Sequence, residues 1–125
     1  MAKKILIADD DPAVVKTVKA ILENAHYDVI IASDGEECAR KMVLDTPDLV
    51  LLDLMMPKMD GYSLLVSMKQ LKALNANIPD IPVIVITARE DALAKELVGK
   101  ENIKGYILKP FDIQELLGKI SELLK

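Results

Sequence analysis

The 125-residue sequence predicts an α/β domain, with a parallel β-sheet between helices packed on both of its faces. Three observations lead there. Short apolar runs rich in Ile, Leu and Val recur five times, segments with helical spacing separate them, and turn signals fall at the joints.

The five runs are Lys4–Ala8, Tyr27–Ala32, Leu49–Leu52, Val83–Ile86 and Gly105–Leu108. They are nearly continuous rather than alternating, as expected of strands buried on both faces. Between the first two, Pro12–Asn24 carries a helical stripe of Val14, Val15, Val18, Ile21 and Leu22. A second helix is expected over Glu36–Leu44, and it holds the lone cysteine, Cys38. A third is expected over Tyr62–Leu74, on Leu64, Leu65, Met68 and Leu71, and a shorter fourth over Glu90–Val98. The fifth, Asp112–Leu124, aligns Ile113, Leu116, Leu117, Ile120, Leu123 and Leu124. Asp34-Gly35, Asp45-Thr46-Pro47, Asp60-Gly61 and the segment around Pro79 and Pro82 supply the turns. A strand-helix order repeated five times calls for right-handed crossovers. With no linker or repeat, residues 1–125 are expected to form a single domain.

Composition narrows the function. The chain is 51% hydrophobic but only 3% aromatic with no Trp, so the core must be aliphatic. A net charge of −4 argues against direct nucleic-acid binding and against adhesion to an anionic membrane. One cysteine allows no internal disulfide, and Cys38 is expected to be an inert packing residue. No apolar run approaches the ~20 residues of a membrane span, and the N-terminus lacks a secretory pattern. The expected location is the cytoplasm.

Ligands of such sheets bind outside the carboxyl ends of the strands. Asp9 and Asp10 follow the first run, Asp53 the third, Thr87 the fourth and Lys109 the fifth. Asp11, just before Pro12, reads as the cap of the first helix. That explanation does not extend to Asp9 and Asp10, nor to Asp53, which precedes the loop "LMMPKMDG". Thr87 by itself is equally readable as a cap. Three carboxylates converge only around a cation, and a hard ion suits them: Mg²⁺, with Mn²⁺ as the alternative. A lysine and a hydroxyl beside it would hold phosphate oxygens, an inventory for phosphoryl transfer in which a carboxylate can be the nucleophile. There is no P-loop pattern, so ATP is not the expected direct donor.

In this order and spacing, "ILIADDDP", "LVLLDLMMPKMDG", "VIVITA" and "GYILKPF" resemble the response-regulator receiver domain of two-component signalling, over the whole chain. The resemblance implies a flavodoxin-like, three-layer (βα)5 fold with strand order 2-1-3-4-5. It implies that Asp53 accepts a phosphoryl group from a phosphohistidine on a sensor histidine kinase or phosphotransfer protein. It assigns Asp10, Asp53 and the Met55 carbonyl to Mg²⁺ directly, and Asp9 largely through water. Thr87 and Lys109 would hold the phosphoryl group, and Tyr106 would change rotamer with Thr87. Pro57, Gly61 and Pro110 would shape the loops. The fourth helix, fifth strand and fifth helix would then present an altered surface to a downstream partner or effector domain. The chain would be a monomer or a weak, phosphorylation-dependent dimer, and would catalyse only its own aspartyl phosphorylation and dephosphorylation.

Two departures from the family bear on the backbone. His26 stands where glycine is usual before an aromatic, and must take a left-handed backbone. A Gly-Ala pair is missing before the fifth run, so Lys100–Lys104 is expected to be an irregular loop. Two other functions compete. A phosphorylation-independent interaction module would not need the intact set Asp9, Asp10, Asp53, Thr87 and Lys109. A phosphatase using an aspartyl phosphate would want an acid where Met55 stands, and an insertion to cover its substrate. A stop after the fifth helix fits both a stand-alone regulator and a receiver joined to an effector.

Overall fold

The computed structural model describes residues 2–53, 81–87 and 103–124. Five strands form one parallel sheet: β1 (Lys4–Ala8), β2 (Asp28–Ala32), β3 (Leu49–Leu52), β4 (Val83–Thr87) and β5 (Ile103–Leu108). Their order is β2-β1-β3-β4-β5, so β2 and β5 are the edges and the order reverses between β1 and β3. The described helices are α1 (Pro12–Asn24), α2 (Gly35–Leu44) and α3 (Ile113–Leu123). The helices expected over 62–74 and 90–98 lie outside the described residues.

Side chains of successive strand residues leave opposite faces, and the core divides accordingly. Leu6, Ala8, Val50, Leu52, Val83 and Val85 pack with Cys38 and Met42 of α2 on one side. Ile5, Ile7, Leu49, Leu51, Ile84 and Ile86 pack on the other with Val18 and Leu22 of α1 and Leu116 and Ile120 of α3. The continuous apolar runs are thus two interleaved half-cores. Aliphatic residues, with Cys38 and Met42, make up both.

Helix boundaries follow local chemistry. The Asp11 carboxylate accepts the Ala13 N–H at 3.0 Å and Pro12 opens α1. Asp34 caps α2 through the Glu37 N–H at 2.9 Å, and Asp112 caps α3 through the N–H groups of Gln114 and Glu115. At the end of α1, His26 adopts φ 70°, as the missing glycine demands, while Tyr27 N–H returns to the Leu22 carbonyl at 3.0 Å. Thr46, after α2, also has positive φ, at 40°.

Two strands start at a different residue from the one expected. Tyr27 belongs to the turn, and β2 begins at Asp28. The larger difference is β5, which starts at Ile103 rather than Gly105. Ile103 pairs with Val83 and Gly105 with Ile84, so Lys104 is an extra residue opposite a partner already taken, a β-bulge. Part of the segment expected to be an irregular loop is therefore strand, anchored by buried Ile103 in the α2-side core. The expectation failed because a charged residue at a bulge breaks the apolar run without ending the pairing.

Candidate functional site

The sheet itself aims the acidic residues. Asp9 follows β1, and its N–H extends the ladder to the Ala32 carbonyl at 3.1 Å. Asp53 follows β3, and its N–H reaches the Ala8 carbonyl at 2.9 Å. Each backbone is fixed one residue beyond its strand, at the place where the strand order reverses. Both side chains are buried, Asp9 at 4% and Asp53 at 7% exposure, whereas Asp10 is exposed. Carboxylate oxygens of Asp9, Asp10 and Asp53 lie within 4.8 Å of one another.

Lys109, just after β5, reaches into this group. Its ammonium donates to Asp9 Oδ2 at 2.8 Å and to Asp53 Oδ2 at 3.3 Å. Asp9 Oδ1 accepts the Asp11 backbone N–H at 2.9 Å. Both oxygens of Asp9 are therefore engaged, one by its own loop and one by a residue a hundred positions away. Burial lowers the proton affinity of the Lys109 ammonium. The hydrogen bond to Asp9 and then the charges of Asp53 and Asp9 outweigh burial and hold its pKa above the usual lysine range. Three carboxylates against one ammonium leave these four groups net negative, a setting that suits a further hard cation.

Of the other residues expected at the site, Thr87 is the last residue of β4 and pairs with Leu108. Tyr106 is half-buried on edge strand β5 and packs against the α2-side core. Pro110 follows a cis Lys109–Pro110 peptide bond. Met55, Pro57 and Gly61 lie outside the described residues. The contact that motif spacing did not reveal is the pairing of Lys109 with Asp9, shorter than its pairing with Asp53; only the tertiary fold could show it. Cys38 is buried in the core, and its thiol is pushed up to about 12, first by burial and then by the charges of Asp34 and Glu37, so the thiol stays protonated and inert.

A doubly wound sheet of this order defines a flavodoxin-like α/β protein, and its carboxyl strand ends gather three carboxylates and an ammonium. The chain belongs to the response regulator receiver domain family, whose model matches residues 5–121 and whose standard role is to accept a phosphoryl group. It is 35% identical over its full length to the alkaline phosphatase synthesis transcriptional regulatory protein PhoP of Bacillus subtilis, covering 50% of that protein. It is 38% identical over 122 residues to the DNA-binding dual master transcriptional regulator RpaA of Synechocystis, covering 98% of this chain and 49% of that one. The chain thus spans about half the length of these curated relatives. Among solved structures, a receiver domain protein from Methanospirillum hungatei superposes with a TM-score of 0.83 at 31% identity, covering 98% of this chain and 93% of the other. The BeF3-activated receiver domain of Klebsiella pneumoniae RstA does so with 0.83 at 27% identity, covering 98% and 100%. Among the described residues, no helix is long and apolar enough to cross a membrane.

Proposed function

We propose that residues 1–125 act as a single receiver domain in which Asp53 is the phosphoryl acceptor. One observation carries this reading: the buried Asp53 carboxylate sits within reach of the Lys109 ammonium and beside two more carboxylates. A carboxylate oxygen of Asp53 attacks the phosphorus of a phosphohistidine on a sensor histidine kinase or phosphotransfer protein. The new O–P bond forms as the P–N bond breaks, and the imidazole leaves with its electron pair.

The donor set fits Mg²⁺ on its chemistry, since three carboxylates offer hard oxygens and exposed Asp10 leaves one side open to water. Asp10, Asp53 and the Met55 carbonyl would hold the ion directly and Asp9 through water; when bound it neutralises charge on the transferring group. Lys109 shifts from the two aspartates to the phosphoryl oxygens as a point charge. The Thr87 hydroxyl donates to the same group, and Tyr106 changes rotamer with it. Pro57, Gly61 and Pro110 shape the surrounding loops. The added charge of about −1.5 to −2 biases a two-state surface formed by the fourth helix, β5 and the fifth helix, here α3. That surface then meets a downstream partner or effector domain in the cytoplasm. Apart from this self-modification the chain performs no enzymatic turnover.

The test is intact mass after incubation with acetyl phosphate and Mg²⁺. Wild type should gain one phosphoryl mass, and Asp53→Asn should gain none. No adduct on wild type, or the same adduct on the variant, would overturn the assignment.

A further inference from the structure

The free edge of β2 is closed by two side chains of α2. In β2, Asp28 N–H donates to Lys3 O, and Ala32 O accepts from Asp9 N–H, so these positions face β1. By alternation Val29, Ile31 and Ser33 turn their backbone groups outward, where no strand lies among the described residues. Such an edge is a template for another strand. At two of its outward groups, α2 intervenes. The Lys41 ammonium donates to the Ile31 carbonyl, and Glu37 Oε1 accepts the Ser33 N–H at 3.0 Å. Lys41 and Glu37 also face each other at 3.8 Å, one turn apart, and both are half-buried.

The spacing matters. A residue of an incoming parallel strand would donate its N–H to Ile31 O and accept Ser33 N–H at its own carbonyl. Lys41 supplies that donor and Glu37 that acceptor. Together they occupy the bonds of one residue of a sixth strand, and an antiparallel neighbour would need the same two groups. We propose that Glu37 and Lys41 form a latch that keeps β2 from adding a strand, and that the occupant it excludes is β2 of a second copy. The second copy is the occupant because every copy carries the same open edge, and that edge can pair with itself about a two-fold axis. The strand, Asp-Val-Ile-Ile-Ala, is apolar after its first residue, the composition that pairs most readily when uncovered. This latch is separate from the phosphoryl site.

The double variant Glu37→Ala/Lys41→Met removes one charge of each sign and so keeps net charge. Glu36→Ala/Arg40→Met, on exposed neighbours in the same helix, makes the same change without touching the edge. Sedimentation mass across a concentration series should match wild type for the control pair and rise toward twice the chain for the latch pair. In dilute samples, exchange of the Ser33 amide should be slow in wild type and about tenfold faster in the latch variant. A latch variant with wild-type mass overturns the proposal. So does a mass rise shared by the control pair, or one that leaves Ser33 protection intact. Should the double variant fail to fold, wild-type exchange still decides: a Ser33 amide as unprotected as a solvent-exposed one overturns it.

Discussion

The two ends of the sheet each join a lysine to aspartates, and they use the pair differently. At the amino end, the Lys4 ammonium donates to the Asp45 backbone carbonyl at 3.1 Å, and exposed Asp48 accepts the Lys4 N–H at 2.8 Å. Each charged group finishes a backbone bond. At the carboxyl end, Lys109 meets two buried carboxylates, charge against charge. Backbone strain shows the reverse distribution: His26 and Thr46, the described non-glycine residues at positive φ, lie in the turns at the amino end. One end closes turns with strained backbone and local bonds, while the other concentrates desolvated charge. Charge gathered out of water is costly unless paired, and the fold concentrates that cost at the carboxyl end.

That contrast can be broken most sharply at the lysines. Lys109→Met should lower stability by about 2–3 kcal/mol in EDTA, because it strips the ammonium from buried Asp9 and Asp53. Lys4→Met should cost at most about 1 kcal/mol, the value of a neutral-acceptor bond near the surface. Equal urea midpoint shifts for the two variants would erase the distinction between the ends. Measured against wild type at the same Mg²⁺ concentration, the deficit of Lys109→Met should shrink as Mg²⁺ is added and that of Lys4→Met should stay constant.

A second expectation concerns pH and the core beneath. The folded Cys38 thiol is pushed up to about 12, while an unfolded thiol titrates near ~8.5. Below that lower value both states are protonated and the thiol's full contribution is present. As pH rises toward 12 the unfolded chain loses its proton first, so stability falls. The stability gap between wild type and Cys38→Ala should therefore narrow from pH 8 to pH 10.5. A constant gap would show that burial at Cys38 does not govern the thiol.

The smallest effect belongs to the amino-end turns. His26→Gly should gain about 0.5–1 kcal/mol in thermal or urea denaturation, since glycine takes a φ of 70° without steric cost. A loss would mean that the His26 side chain contributes more than its backbone costs.

Much of this was legible in the sequence because its causes are local. Strands β1 and β3 match the apolar runs residue for residue, and α1 matches the Asp11-Pro12 signal. His26 was readable because only a left-handed residue can end that helix and turn into β2. Strand order was legible only through resemblance to a family, since periodicity does not say which strands are neighbours. Asp9 and Asp53 could be set at strand ends from the sequence, but the hold of Lys109 on Asp9 could not. That bond spans a hundred positions, and its geometry depends on how β5 sits at the sheet edge.

The bulge in β5 bears on how this chain can change length. Ile103 and Gly105 pair with consecutive residues of β4, and the side chain of Lys104 stays exposed between them. The strand has in effect absorbed one extra residue without turning its buried residues inside out. Deleting Lys104 would leave Ile103 and Gly105 adjacent, each still facing its own half of the core. Position 104 is thus a point where single-residue insertion and deletion are interchangeable, a freedom the fully buried strand β3 lacks.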